Sequence, residues 1–102
     1  MVIGVVVGSV IASQKTASMD GIPLRIVKRV SPDGKLTDAY MVAVDAMGAS
    51  NGEYVLVANG STARQTTLTD TKPVDAIIIA IVDSWQLNNR VIYQNMSLEI
   101  SD

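Results

Sequence analysis

Residues 2–13 form one extended apolar run, with Val2, Val6 and Val10 on one face of a strand and Ile3, Val5, Val7 and Ile11 on the other. A strand that is apolar on both faces can give only one to the core of a small domain. The second must be covered by another part of the barrel or by a neighbouring subunit. Ile22, Leu24 and Ile26 then alternate with Pro23, Arg25 and Val27, the period of two that marks a second strand over residues 22–30. Pro23 belongs near its start or on an edge, because proline cannot donate to a ladder. Ser31-Pro32-Asp33-Gly34 combines a Pro that sets φ with a Gly that accepts positive φ, so it turns the chain into a third strand, residues 40–45. Gly48-Ala49-Ser50-Asn51-Gly52 reverses it into a fourth, residues 53–58, which Asn59-Gly60-Ser61 ends.

Residues 62–70 are polar and rich in Thr, which predicts an exposed loop. Thr71-Lys72-Pro73-Val74-Asp75-Ala76 has the Thr cap, early Pro and first-turn Asp of a helix N-terminus, and predicts one short helical turn. Residues 77–82 are an unbroken Ile-rich run closed by Asp83, too short for a typical helix and so a buried strand. After Trp85, Asn88-Asn89 turns the chain back into Val91-Ile92-Tyr93. The sum is an all-β fold of five or six short strands with one helical turn, a small barrel or sandwich. No repeat or linker interrupts it. Residues 1–94 read as a single domain and residues 95–102 as a loosely ordered C-terminal tail.

Composition sharpens this picture. The 102 residues are 48% hydrophobic but only 4% aromatic, so the apolar material is mainly Val, Ile, Ala and Leu, which suit pleated strands. A net charge of -2 leaves no basic excess to neutralise phosphates, which argues against nucleic acid as a partner. With no Cys and no His, the disulfide, the thiolate, the commonest general base and the commonest metal ligand are all missing. The apolar start has no basic flank, is broken by Gly4, Gly8 and Ser9, and falls short of the roughly 20 residues that span a bilayer. It reads as a strand of a cytoplasmic protein.

Few residues suggest chemistry. Gly4 to Ser9 lacks the Lys and the glycine spacing of a phosphate loop, and Gly inside a strand pattern marks a bulge or close packing instead. Asp45, Glu53, Asp75 and Asp83 are the carboxylates to weigh as an acid/base pair, but each stands where a strand end, a turn or a helix start would use it. Trp85 is a packing residue at a strand end or a subunit contact, and Lys28-Arg29 is a solvated edge. The expectation is a protein that is not an enzyme, with no catalytic residue, cofactor or metal.

Taken in order, several stretches resemble the EutN/CcmL family of bacterial microcompartment vertex proteins. They are Gly8-Ser9-Val10-Ile11-Ala12-Ser13-Gln14-Lys15, Asp20-Gly21, Val44-Asp45-Ala46-Met47-Gly48-Ala49 and Gly52-Glu53-Tyr54-Val55-Leu56-Val57. Gly60-Ser61-Thr62-Ala63-Arg64 and Lys72-Pro73-Val74-Asp75-Ala76-Ile77-Ile78-Ile79-Ala80-Ile81-Val82-Asp83 complete the set. Each alone is weak, and their order and spacing carry the match.

The resemblance implies a five-stranded, OB-like barrel with a short helix. It also implies a homopentamer that caps the five-fold vertices of a carboxysome or catabolic shell, beside hexameric or pseudohexameric shell proteins and away from any membrane. In such a ring Gly60, Ser61 and Thr62 would lie nearest the axis, where Gly lets five backbones approach and hydroxyls line a narrow polar opening. Arg64 would pair with a carboxylate of the next subunit, and Asp45 and Asp75 are the interface residues to consider with it. The doubly apolar first strand and residues 77–82 are the expected sources of the buried patch. The competing reading is an OB-like binding module for single-stranded nucleic acid or a small ligand, which needs aromatic platforms.

Overall fold

The computed structural model describes residues 1–19, 21–60 and 75–95. Five strands, β1 (Val2–Val10), β2 (Leu24–Val30), β3 (Leu36–Asp45), β4 (Tyr54–Asn59) and β5 (Ala76–Ile81), close into a barrel in the order β1-β2-β3-β5-β4. Closure comes from β4 pairing back on β1, Val2 opposite Val57 and Val5 opposite Tyr54. Every pairing is antiparallel except β3 with β5, where Val44 faces Ile77 and Asp45 faces Ile78. The chain is therefore nearly all-β and OB-like, as expected. Two further strands, β6 (Ser84–Leu87) and β7 (Arg90–Gln94), form a separate hairpin.

The helical turn expected over residues 71–76 falls largely outside the described residues. Asp75 stands in a bend and Ala76 already opens β5. Among the described residues helical conformation is confined to the 3-10 turn Ala17–Met19 and to Gly60. The first strand stops at Val10 rather than at residue 13, and Ile11 beyond it is 95% exposed. Conversely, β3 begins four residues earlier than its apolar pattern, because the preceding turn is tight enough to start the ladder at once. Ser31 N–H donates to the Lys35 carbonyl at 2.9 Å, Gly34 N–H donates to the Ser31 carbonyl at 2.8 Å, and Leu36 pairs with Val30. The register then shifts between Leu36 and Tyr40, where the Thr37 hydroxyl donates to the Arg29 carbonyl at 2.8 Å.

Inside the barrel, Val2, Val6, Val27, Ala43, Val55, Val57 and Ile78 pack as one buried cluster. A second cluster of Ile22, Val44, Ala58 and Ile77 lies with Met19 and Leu24. Small branched side chains suit this geometry, since a five-stranded barrel has a narrow interior that aromatic rings would overfill. A bulge between Val6 and Gly8 leaves Val7 as an extra residue on β1, 45% exposed, and bends the strand around the core.

The β6–β7 hairpin turns at Asn88 and Asn89, both at positive φ (53° and 65°), as a two-residue hairpin loop that follows strand twist requires. It docks through aromatic rings. Tyr93 and Trp85 lie 4.2 and 5.7 Å from Tyr54, centroid to centroid, and the Trp85 indole N–H donates to the Pro32 carbonyl at 2.8 Å. Burial, and then the neighbouring Tyr54, Asp83 and Glu53, push the Tyr93 hydroxyl above its ordinary pKa.

Gly4 sits where β1 and β2 meet most closely. A Cβ there would collide with Val27 Cγ1 and stand 3.0 Å from the Lys28 carbonyl oxygen. Gly4→Ala should therefore destabilise the fold by about 1–3 kcal/mol, read as a lower urea midpoint at unchanged slope. At Gly8 a Cβ would meet Ile26 at an ordinary 3.5 Å. Gly8→Ala should shift stability by less than about 1 kcal/mol.

Candidate functional site

The β4–β5 pair runs out to Asn59 opposite Ala76, and one residue further Gly60 N–H donates to the Asp75 carbonyl at 2.8 Å. The chain thus leaves the barrel at Gly60 and re-enters at Asp75, and that bond ties the two together. Gly60 holds φ of +67° with nothing within 4 Å of the position a Cβ would take, so its requirement is conformational and not steric. The N-terminal ammonium donates to Asn59 Oδ1 at 3.2 Å beside it. Met41, Val42, Asn59, Gly60, Asp75 and Ala76 wall an open cavity of about 500 Å³ at this end.

Of the residues expected near an axis or an interface, Gly60 and Asp75 are brought together at this root, and both are exposed. Ser61, Thr62 and Arg64 lie outside the described residues.

Asp45 stands apart. It ends β3, only 4% exposed, and its carboxylate accepts four hydrogen bonds from its own chain. Oδ1 receives Met47 N–H at 3.0 Å and Gly48 N–H at 2.9 Å, while Oδ2 receives Ala49 N–H at 2.9 Å and Arg25 Nε at 3.0 Å. Arg25 in turn reaches Ser9 Oγ through Nη1 at 2.6 Å. A carboxylate taken out of water costs several kcal/mol unless its lone pairs are filled, and here they are filled by one guanidinium and a ring of amides. The reversal at 46–49 is the product. Gly48 supplies φ of +73°, and Ala49, 1% exposed, is pulled into the barrel core.

Of the other carboxylates weighed for acid/base work, Glu53 is also structural: its Oε1 accepts the Ser50 N–H at 2.7 Å and closes the next turn, while Asp75 and Asp83 are exposed. Among the described residues, no three His, Cys, Asp or Glu side chains gather as a metal site would need.

Arg25 is the residue that pattern reading missed. Its position two before Val27 puts it on the core-facing phase of β2, and a charge on that phase is the available signal for a buried partner.

The family model described as "Ethanolamine utilisation protein EutN/carboxysome" matches residues 1–83. The chain belongs to the EutN/CcmL family. A carboxysome shell vertex protein CcmL of Gloeobacter violaceus is 40% identical over 93 residues, spanning 91% of this chain and 93% of that protein. The solved structure of Gloeobacter violaceus CcmL superposes with a TM-score of 0.90 at 38% identity, covering 94% of this chain and 99% of that one. GrpN of Rhodospirillum rubrum, whose structure is described as a pentameric microcompartment shell protein, superposes with a TM-score of 0.78 at 36% identity, covering 85% of this chain and 99% of that one.

In this EutN/CcmL chain the Val44-to-Ala49 stretch that carried part of the resemblance is the Asp45 nest itself. Its residue types are explained by the bonds: an acid to collect amides, a Gly for positive φ and an Ala small enough to enter the core. Asp45→Ala strands Arg25 and three backbone N–H groups, and should lower folding stability by about 3 kcal/mol or more in a denaturant titration. Asp45→Asn keeps one acceptor oxygen and should recover part of that loss.

Proposed function

We propose that this chain is a structural subunit whose homopentamers cap the five-fold vertices of a bacterial microcompartment, a carboxysome or a catabolic shell. The observation that carries this is the near full-length likeness to CcmL, named a carboxysome shell vertex protein, together with the pentameric description of GrpN. Function then follows from symmetry: a five-fold unit among hexagonal tiles forces the curvature that closes a shell. Hexameric or pseudohexameric shell proteins are the partners on its lateral faces. A head-to-tail ring closes by rotation, with one patch of each copy against a different patch of the next.

Gly60, Ser61 and Thr62 face the axis in this reading. The exposed Gly60, at the root of the excursion over residues 61–74, supports that placement. Arg64 pairs with a carboxylate of the neighbouring copy, for which the exposed Asp75 is suited. Asp45 serves an interface by fixing the 46–49 reversal, its own oxygens being engaged within the chain. Residues 1–94 act as one domain, which the Trp85 bond to Pro32 supports by fastening the β6–β7 hairpin to the barrel. Residues 95–102 are a tail.

Catalysis has no place in this reading, and the absence of His and Cys supports leaving it out. A binding module for single-stranded nucleic acid is disfavoured because Tyr54, Trp85 and Tyr93 are stacked on one another, not spread as a platform for bases.

Mass measurement on the native particle is expected to give five copies at micromolar concentration. A monomer or dimer would sink the vertex reading. Co-expression with hexameric shell proteins should yield closed particles only when this chain is present, and equally sealed particles without it would refute the capping role.

A further inference from the structure

Partners directly opposite in antiparallel strands share a face, so the register sorts the outside of β1, β2 and β3 into rows. Tyr54, Val5, Lys28 and Tyr40 make one row, Gly8, Ile26 and Val42 the next, and Val10, Leu24 and Val44 the third. The first row is roofed at Tyr54 by Trp85 and Tyr93, while Lys28 Nζ lies 5.3 Å from the Tyr40 ring centroid. Around the third row, Val44 and Leu24 pack with Ile22 and Met19. The middle row is less covered, with Gly8 and Ile26 half-buried. Val42 is 49% exposed and Tyr40 59%, and the bulge leaves Val7 exposed at the β1 end of the row. Gly8 has no side chain to fill the floor. An apolar strip flanked on both sides by cover from its own chain is an unfinished surface.

We infer that this strip, centred on Ile26 and Val42, is covered by a second copy of the chain in the ring. The inference rests on the pentameric reading above. Three observations point to that occupant. Val42 also walls the cavity at Gly60 and Asp75, so the strip is continuous with the root of the excursion assigned to the axis. A head-to-tail ring needs two different patches per copy, and the outer face has a second apolar recess of about 670 Å³ walled by Met1, Ile3, Pro32 and Leu56. The row from Tyr54 to Tyr40 stands between the two recesses, so one cannot serve as both halves of the contact. Of the apolar residues first expected to form the patch, Ile77, Ile78, Val2 and Val6 are buried within the chain, while Val7 and Ile3 of β1 remain to border the strip and the second recess.

The test is the native mass of Val42→Asp beside Val91→Asp, a change at a side chain 58% exposed on β7 and outside both recesses. Val42→Asp is expected to lose the five-copy species while keeping its far-UV circular dichroism, and Val91→Asp to keep the ring. A Val42→Asp ring that stays intact overturns the inference and leaves the vertex reading standing, whereas a wild-type chain that is monomeric sinks both.

Should Val42→Asp fail to fold, a single Val42→Cys substitution decides, since the chain has no other cysteine to react. The thiol is expected to resist a maleimide in the ring and to react once the ring is diluted to monomers. Reaction in the intact ring overturns the inference. So does protection that persists in the monomer, which would assign the cover to residues 61–74 of the same chain.

Discussion

Barrel closure is the constraint on which the rest of this structure depends. Five short strands leave no unpaired edge only if β4 returns to β1 and β5 slots between β3 and β4, and the β3–β5 contact is the one parallel pairing that permits it. A parallel neighbour cannot be reached by a tight turn, and β3 is joined to β5 only by way of β4, which runs antiparallel to β5 and pairs with it and with β1. The narrow interior then dictates side-chain size, which is why Val and Ala fill it and why β1 must bulge at Val7 and carry Gly at position 4.

Closure also explains the buried charge. The end of β3 is flanked by an antiparallel neighbour, β2, on one edge and a parallel one, β5, on the other, and the chain turns sharply away at 46–49. Backbone amides exposed by that turn would be buried without partners. Asp45 collects three of them, and Arg25, itself held by Ser9, balances the charge. The arrangement ties β1, β2 and β3 together at one end of the barrel, a place where hydrophobic packing alone would leave polar groups unmet.

What the barrel does with its outer face follows from its size. A domain this small has more apolar side chains than its interior holds, so part of the outside is roofed by local additions: the β6–β7 hairpin through Trp85 and Tyr93, and the 17–22 segment through Met19 and Ile22. The strip left between these covers is the surface proposed above to meet another copy.

The sequence by itself determined most of the strand content, the turns at 31–34 and 88–89, the absence of His and Cys and, through the ordered stretches from Gly8 to Asp83, the family. These are local or cumulative signals: alternation, Gly and Pro positions, and residue types present or absent. Tertiary structure alone decided which face of each strand is inside, because a bulge at Val7 shifts the phase of β1 and no periodicity count reveals it. It decided that β3 starts at Leu36, through its pairing with Val30. It also gave Arg25 and Asp45, twenty residues apart in sequence, to one another, and turned an acid that reads as a strand end into the anchor of a reversal. Contacts of that range depend on which strands become neighbours, and closure, a property of the whole sheet, fixes that.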